Sequence, residues 1–467
     1  MKTLPAVVWL LAGPVWAGPV PPNGFDDTAA IQAELDASGE VRLQPGGSYS
    51  INCSGIWLRS NNRVHATGAT LRLVDTDVPS CSMFTTVVGA RNVAITGGTL
   101  LGTRSDNGWQ ILLRIDQAHD VHVEGVVFDG ASTDNVWIGG DTAPSSNVRL
   151  VRCTFRNARR NGVAATYLTK GLFYKNVFEG TGGSGSPEAG IDFEPNVGQA
   201  VNDVVVTENT FRNNAGPGLY AHPGQGVPGA GYTISRNMFD GNQRSAITFS
   251  RITRATITHN LIRNHLTKTS PSVWIGNKSS DVEVYANRLD GNINGIYVQI
   301  SSRVSVARNT VTGYPGELEP QDLSYSYGIR VQGVPPLTPA NDVTIRDNDL
   351  LNIQYNAIFA GSTSRTTIEA NRVVGTGEDA IWIRECTDCS IFNNDVTGSS
   401  RLRFKVFHDI LVSEKSTKSK IYGNRATGGA TRKTLWIQDG ASGAIVWGNL
   451  FGPPEMLEYP AGTLVLP

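Results

Sequence analysis

Asparagine recurs along this chain at one place in a repeating pattern, two residues before an apolar position and after an alternating apolar run. The instances are Asn176 (YKNVF), Asn209 (TENTF), Asn237 (SRNMF), Asn260 (THNLI), Asn287 (YANRL), Asn309 (ARNTV), Asn348 (RDNDL), Asn371 (EANRV), Asn394 (FNNDV), Asn424 (YGNRA) and Asn449 (WGNLF). Successive spacings run 33, 28, 23, 27, 22, 39, 23, 23, 30 and 25 residues. A floor of 22–23 residues broken by irregular insertions marks a solenoid, in which each unit buries its apolar face only against its neighbours. The units alternate like strands, so the expected fold is a β-helix. That argues for one elongated domain, residues 18–467, although 467 residues is length enough for several ordinary domains.

One clear unit, NDVVVTENTFRNNAGPGLYAH, sets the coil pattern. Val204 and Val206 point inward by alternation, Asn209 makes the tight turn in the left-handed region that asparagine tolerates, and Phe211 points inward on a second strand. Leu219 and Ala221 then point in on a third strand, which turns Tyr220 and His222 outward. Asparagine amides at equivalent turns can bond to one another from coil to coil. At a strand spacing of about 4.8 Å, roughly thirteen coils make a rod on the order of 60 Å long. Cys153 (VRCTF) stands at the ladder position and reads as a small residue stacked in the turn.

The ends read differently. Residues 1–17, MKTLPAVVWLLAGPVWA, have a positive start, a short apolar run and small residues at −3 and −1, as a secretory signal does. The run is too short to span a bilayer, and no later stretch is apolar enough. Asp26, Asp27 and Thr28 are N-cap candidates for a short helix over 26–38, with Ile31 and Leu35 on one face and Gly39 as its stop. Such a helix would cover the open apolar end of the first coil. Residues 452–467 leave the pattern and are expected to cap the other end. In a secreted chain, Cys53 with Cys81 and Cys386 with Cys389 are expected to pair, since no further ligands complete a zinc site around the lone CxxC. With 40 basic and 41 acidic residues there is no basic excess to attract nucleic acid. No GxSxG, P-loop or dinucleotide fingerprint is present.

The segment DDTAAIQAELD…GEVRLQPGGSYSI resembles the N-terminal motif of the pectate-lyase superfamily. That resemblance implies an all-β, single-stranded right-handed parallel β-helix acting on polysaccharide, as a monomer or a homotrimer of rods.

Read in register, the third strands display outward pairs: Trp137/Gly139, Ala164/Thr166, Asp192/Glu194, Tyr220/His222, Thr248/Ser250, Trp274/Gly276, Tyr297/Gln299, Arg330/Gln332, Phe359/Gly361, Trp382/Arg384 and Trp436/Gln438. A row of exposed aromatics marks a binding surface, and flat rings beside Gln and Arg suit sugar rings. The bland alternative is that loops fold over these rings. Insertions after Asn176 (TGGSGSPEA) and after Asn309 (GYPGELEPQDLSYS) precede the same strand and should wall the same face.

Asp192, Glu194, Tyr220 and His222 fall in one patch, with Arg251 expected on the coil after. Crowding should raise one carboxylate pKa while Arg251 lowers its neighbour's. The bland alternative is a surface ion-pair net. GIDFEP also resembles a motif of the mannuronan C5-epimerases, Asp-Pro-His followed by Asp or Glu. Asp192 matches its first Asp, Phe193 and Glu194 replace its Pro and His, and the nearby imidazole is His222 of the next coil. The resemblance implies Tyr220 and His222 as proton donor and acceptor at C5 of a uronate.

Three functions are open at this point. In a lyase or epimerase on a uronate polymer, Arg251, or Ca²⁺ held by Asp192 and Glu194, would neutralise the sugar carboxylate. Arg330, Arg384 and Lys278 would then suit an anionic polymer, with Trp137, Trp274, Tyr297, Gln299, Gln332 and Trp382 as further contacts. In an inverting glycoside hydrolase, Asp192 and Glu194 would be the carboxylate pair. In a secreted polysaccharide-binding rod there would be no turnover.

Overall fold

A computed structural model describes residues 18–74, 80–105, 108–183, 185–224, 226–316, 318–319, 326–334, 340–401, 406–427, 432–452 and 457–466. The expected signal at 1–17 and half of the GYPGELEPQDLSYS insertion lie outside these residues. Strands of two to eight residues wind into coils, and nearly every coil adds one strand to each of three parallel stacks. The second-strand stack is a 15-stranded sheet, and the first- and third-strand stacks join into one of 33 strands. The extra coils over the roughly thirteen read from the ladder lie at the N-terminal end. There the ladder position is held by Ala69, Gly98, Val126 and Cys153, whose carbonyls accept from Thr99, Val127, Thr154 and Val177.

The interior is built from the inward residues of all three stacks. Second-strand positions place Phe128, Phe155, Phe178, Phe211 and Phe239 directly above one another. Their rings stack at centroid spacings of 5.1, 4.8, 4.7 and 4.7 Å, within 8° of parallel. Each ring is fully buried, and burial of a side chain that size is worth about 2–3 kcal/mol.

The asparagine ladder forms without a break from Asn176 to Asn449. Asn260 shows the pattern. Its Oδ1 accepts the backbone N–H and a side-chain N–H of Asn237 at 2.9 and 3.0 Å. Its Nδ2 donates to the Ile234 carbonyl and to Asn287 Oδ1, both at 2.9 Å. The ladder thus satisfies turn backbone groups that are shut away from water.

The turn itself differs from the sequence reading by one residue. The left-handed conformation belongs to the residue before each asparagine: Lys175, Glu208, Arg236, His259, Arg308 and Asp347 stand at φ of +54 to +56°. The asparagine side chain is freed by this bend to point inward.

At the N-terminal end the helix spans Thr28–Ser38, buries Ile31 and Leu35, and ends at Gly39 with φ +75°. Asp27 is the residue before the first turn, yet its side chain does not cap the helix. Its carboxylate accepts from the backbones of Asn23 and Ser50, tying the helix to the first coil. Within 452–467, strands Leu457–Glu458 and Leu464–Leu466 continue two of the stacks. Disulfides join Cys53 to Cys81 and Cys386 to Cys389. Cys153 is a buried free thiol whose backbone N–H starts the ladder by donating to Asn176. Among the described residues no helix is long and apolar enough to cross a membrane.

Candidate functional site

Parallel pairing in strict register stacks one outward position of the third strand through the whole rod. The column runs Trp57, Thr85, Arg114, Trp137, Ala164, Asp192, Tyr220, Thr248, Trp274, Tyr297, Arg330, Phe359, Trp382, Leu411 and Trp436. The first member of each outward pair read from the sequence lies on it. Leu411 belongs to a coil that the reading skipped, between Trp382 and Trp436. Small residues interrupt the aromatics at Ala164 and Thr248, and pockets open on either side of Tyr220 as a result. One, of about 220 Å³, is lined by Trp109, Trp137, Arg160, Ala164, Thr166, Asp192, Glu194 and Asn196.

This pocket gathers three carboxyl groups around one guanidinium. The Arg160 guanidinium lies 3.4 Å from Asp192 Oδ2, 3.6 Å from Glu194 Oε2 and 3.8 Å from Asp134 Oδ2. Asn161 braces the same groups. Its backbone N–H donates to Asp134 at 3.1 Å, its amide to Asp192 at 3.1 Å, and its Oδ1 accepts from Ala189 at 2.9 Å. The three carboxylates differ in exposure. The side chain of Asp192 is 0% exposed and that of Asp134 1%, while Glu194 is 42% open to solvent and Arg160 23%.

That difference sets the electrostatics. Burial pushes Asp192 well above the usual carboxylate range, the Glu194 charge pushes it further, and Arg160 offsets only part of this. Burial raises Asp134 to about 6 against the pull of Arg160. Tyr220, stacked on Asp192, is pushed up to about 12 by burial and then by the two carboxylates, so it stays a protonated phenol at neutral pH. The His222 ring lies 5.6 Å from that of Tyr220. Its Nδ1 is buried with no partner among the described residues.

Several sequence expectations change here. Asp192 sits at an outward position but is covered, because Arg160 reaches over it from the preceding coil. Arg251 does not join the carboxylates: it donates to the carbonyls of Gly224 and Gly226 at 2.6 and 3.2 Å. The guanidinium of the cluster is Arg160 instead. A Ca²⁺ site at Asp192 and Glu194 does not fit either, since that guanidinium occupies the space between the two carboxylates. Among the described residues, no group of three or more acidic, histidine or cysteine side chains is arranged to hold a metal.

The aromatic row is half-buried rather than fully displayed, and Phe359 is buried between Tyr327 and Trp382. Trp137 lies under the Arg114 guanidinium at 4.4 Å, and Trp382 donates to Ser413 at 2.8 Å. Tyr297 and Gln332 flank Arg330, with Tyr297 donating to Gln332 at 3.4 Å. Trp274, Tyr297, Gln299 and Arg330 line the second pocket. Lys278 is exposed in the turn after Val273–Gly276, and Arg384 faces Glu385 at 4.0 Å.

Asp134, Arg160, Asn161 and Trp109 escaped the sequence reading. Asp134 and Asn161 stand two residues before the first pairing residues of their third strands, Val136 and Val163. A parse carried back from the strand into the turn would have stacked them on one another. Trp109 comes from the strand Trp109–Asp116 and is the most exposed ring of this pocket, at 56%.

Residues 88–262 and 328–451 match the family model described as right handed beta helix region. No curated protein matches the sequence. Among solved structures, tailspike protein 3 of bacteriophage CBA120 aligns over 90% of this chain at 13% identity and a TM-score of 0.41, with this chain spanning 59% of its length. PfbA, a surface adhesin of Streptococcus pneumoniae, aligns over 90% of both chains at 14% identity and a TM-score of 0.44. The A-module of the Azotobacter vinelandii mannuronan C-5 epimerase AlgE6 aligns over 96% of this chain and 98% of its own, at 14% identity and a TM-score of 0.28. The family model covers more than half of the sequence and the coils it describes are those of the structure, so the chain belongs to the right-handed β-helix family.

Proposed function

We propose that this is a secreted carbohydrate-active enzyme whose third-strand face binds a polysaccharide and whose Arg160 cluster cleaves it by glycoside hydrolysis. The observation that carries this reading is the unequal carboxylate pair. Asp192 is buried with its carboxyl pushed well above the usual carboxylate range, while Glu194 is open to solvent beside a guanidinium. A carboxyl pushed up by burial beside one left open to solvent suits a general acid paired with a base. Both carboxylate oxygens lie within 3.6 Å of one Arg160 nitrogen, close enough to flank a single glycosidic bond. Asp192 is the general acid and Glu194 the base or nucleophile. Because Arg160 covers Asp192, the guanidinium must shift when a sugar enters.

Arg160 is already engaged by three carboxyl groups, so among the described residues the pocket offers no unengaged cation to receive a uronate carboxylate. This is why hydrolysis ranks above elimination here. The half-buried rings of the column offer apolar faces to sugars, and the two disulfides suit an oxidising compartment.

A second reading draws on Tyr220 and His222. A protonated phenol beside an imidazole with an unpartnered buried nitrogen could move a proton at C5 of a uronate. Product chemistry separates the two. Purified protein is incubated with alginate, pectate, glycosaminoglycans and bacterial exopolysaccharides, with and without chelator. Hydrolysis gives reducing ends without ultraviolet absorbance, and elimination gives unsaturated ends. Polymer binding with no turnover on any substrate would leave a binding rod.

A further inference from the structure

The pocket on the other side of Tyr220 has the opposite charge. It measures about 370 Å³ and is lined by Trp274 and Tyr297 with Ser245, Thr248, Asn294 and Gln299, and by two guanidinium groups, Arg244 and Arg330, but by no carboxylate. Among the described residues neither arginine forms an ion pair. Arg244 is exposed and meets only Ser186 Oγ, at 3.3 Å.

Arg330 is held in place by rings. Its guanidinium carbon lies 4.9 Å from the Tyr297 centroid, 4.9 Å from Tyr327 and 5.9 Å from Phe359. Of the five N–H donors that an arginine carries, those at Nε and Nη2 donate to Gln332 Oε1. A guanidinium fixed against aromatic faces, half-buried and without an acid, is ready-made for a planar anion.

We propose that this pocket binds an anionic substituent, a carboxylate or a sulfate, on a saccharide unit beyond the cleavage point. The proposal rests on the saccharide reading of the third-strand face and names its substrate class: an acidic polysaccharide whose unit at the Arg160 pocket is not itself the charged one. Asp192 and Arg330 are five coil steps apart, about 24 Å at the strand spacing. Acid chemistry and anion recognition are thereby kept out of each other's field, since charges that far apart across solvent are largely screened at physiological salt.

Binding is measured by calorimetry at low salt with the Glu194→Gln protein, so that no probe is consumed. The probes are a hyaluronan oligosaccharide, with a carboxylate on alternate units and no sulfate, a keratan sulfate oligosaccharide, with sulfate and no carboxylate, and a neutral maltohexaose. At least one acidic probe should bind about tenfold or more tightly than the neutral one, the worth of a charge-assisted hydrogen bond. That advantage should shrink at high salt, and fall with Arg330→Met and with the exposed Arg244→Gln, while maltohexaose binding stays unchanged. The acidic probe that wins identifies carboxylate or sulfate. Equal binding of neutral and acidic probes, or an acidic preference that survives both substitutions in folded protein, overturns the anion site but leaves the saccharide reading standing. Binding of no probe overturns both.

Discussion

Asp134 offers a direct test of how the cluster is held. Burial raises its carboxyl to about 6, against an ordinary 3.8. A raised folded-state value means that the native protein holds this proton more tightly than the unfolded chain. The associated stability is fully present below the unfolded value and is lost as pH rises through about 6. At ~1.4 kcal/mol per unit the full gap is ~3 kcal/mol, of which ~2.5 kcal/mol falls between pH 4 and pH 7. Asp134→Asn removes the titration while keeping an oxygen to accept the Asn161 N–H. Relative to the parent, the variant should therefore gain ~2.5 kcal/mol on going from pH 4 to pH 7, whatever the fixed cost of the substitution. Equilibrium unfolding in urea, which leaves electrostatics unscreened, measures it. An identical difference at both pH values would mean that Asp134 is not protonated preferentially in the native state.

Asn260→Ala should cost about 3–5 kcal/mol by the same unfolding assay, because it strands the Asn237 N–H and the Ile234 carbonyl away from water. At the partly exposed end of the ladder, Asn449→Ala should cost about 1 kcal/mol or less, with water replacing the lost partners. Phe211→Ala opens a gap between two rings at 4.7 Å and should cost about 3–5 kcal/mol. Arg160→Met should lower turnover at least a hundredfold. It should also destabilise the fold by about 3 kcal/mol at pH 7 and by much less at pH 4, where Asp134 is protonated.

Much of the fold was legible because a solenoid repeats its constraints. Eleven asparagines set the register, and a period of two then fixed which third-strand residues share the outward column from Trp137 to Trp436. The missed details have local causes. Asparagine's general tolerance of the left-handed region suggests that it makes the bend, but the bend falls one residue earlier, in most coils on residues such as Lys175, Glu208, Arg236 and Ala286 that no propensity singles out. Leu411 was skipped because the insertion after Ser400 hid its coil. At the site, alternation gives the direction of a side chain but not what lies over it. Asp192 faces out and is nevertheless covered, because Arg160 folds back from a turn two residues before Gly162. Arg251 looked nearer in sequence logic, yet the Gly224 and Gly226 carbonyls hold it away.

Asp192 and Glu194 are proposed to do the chemistry on a sugar polymer held along the third-strand face. On a polysaccharide that the parent protein degrades, reducing-end release is measured for Asp192→Asn and Glu194→Gln beside polymer binding by the same proteins. Each variant should lose about two to four orders of magnitude in turnover with binding retained and no ultraviolet-absorbing product. Full turnover in either variant, or cleavage that yields unsaturated ends, would contradict the account.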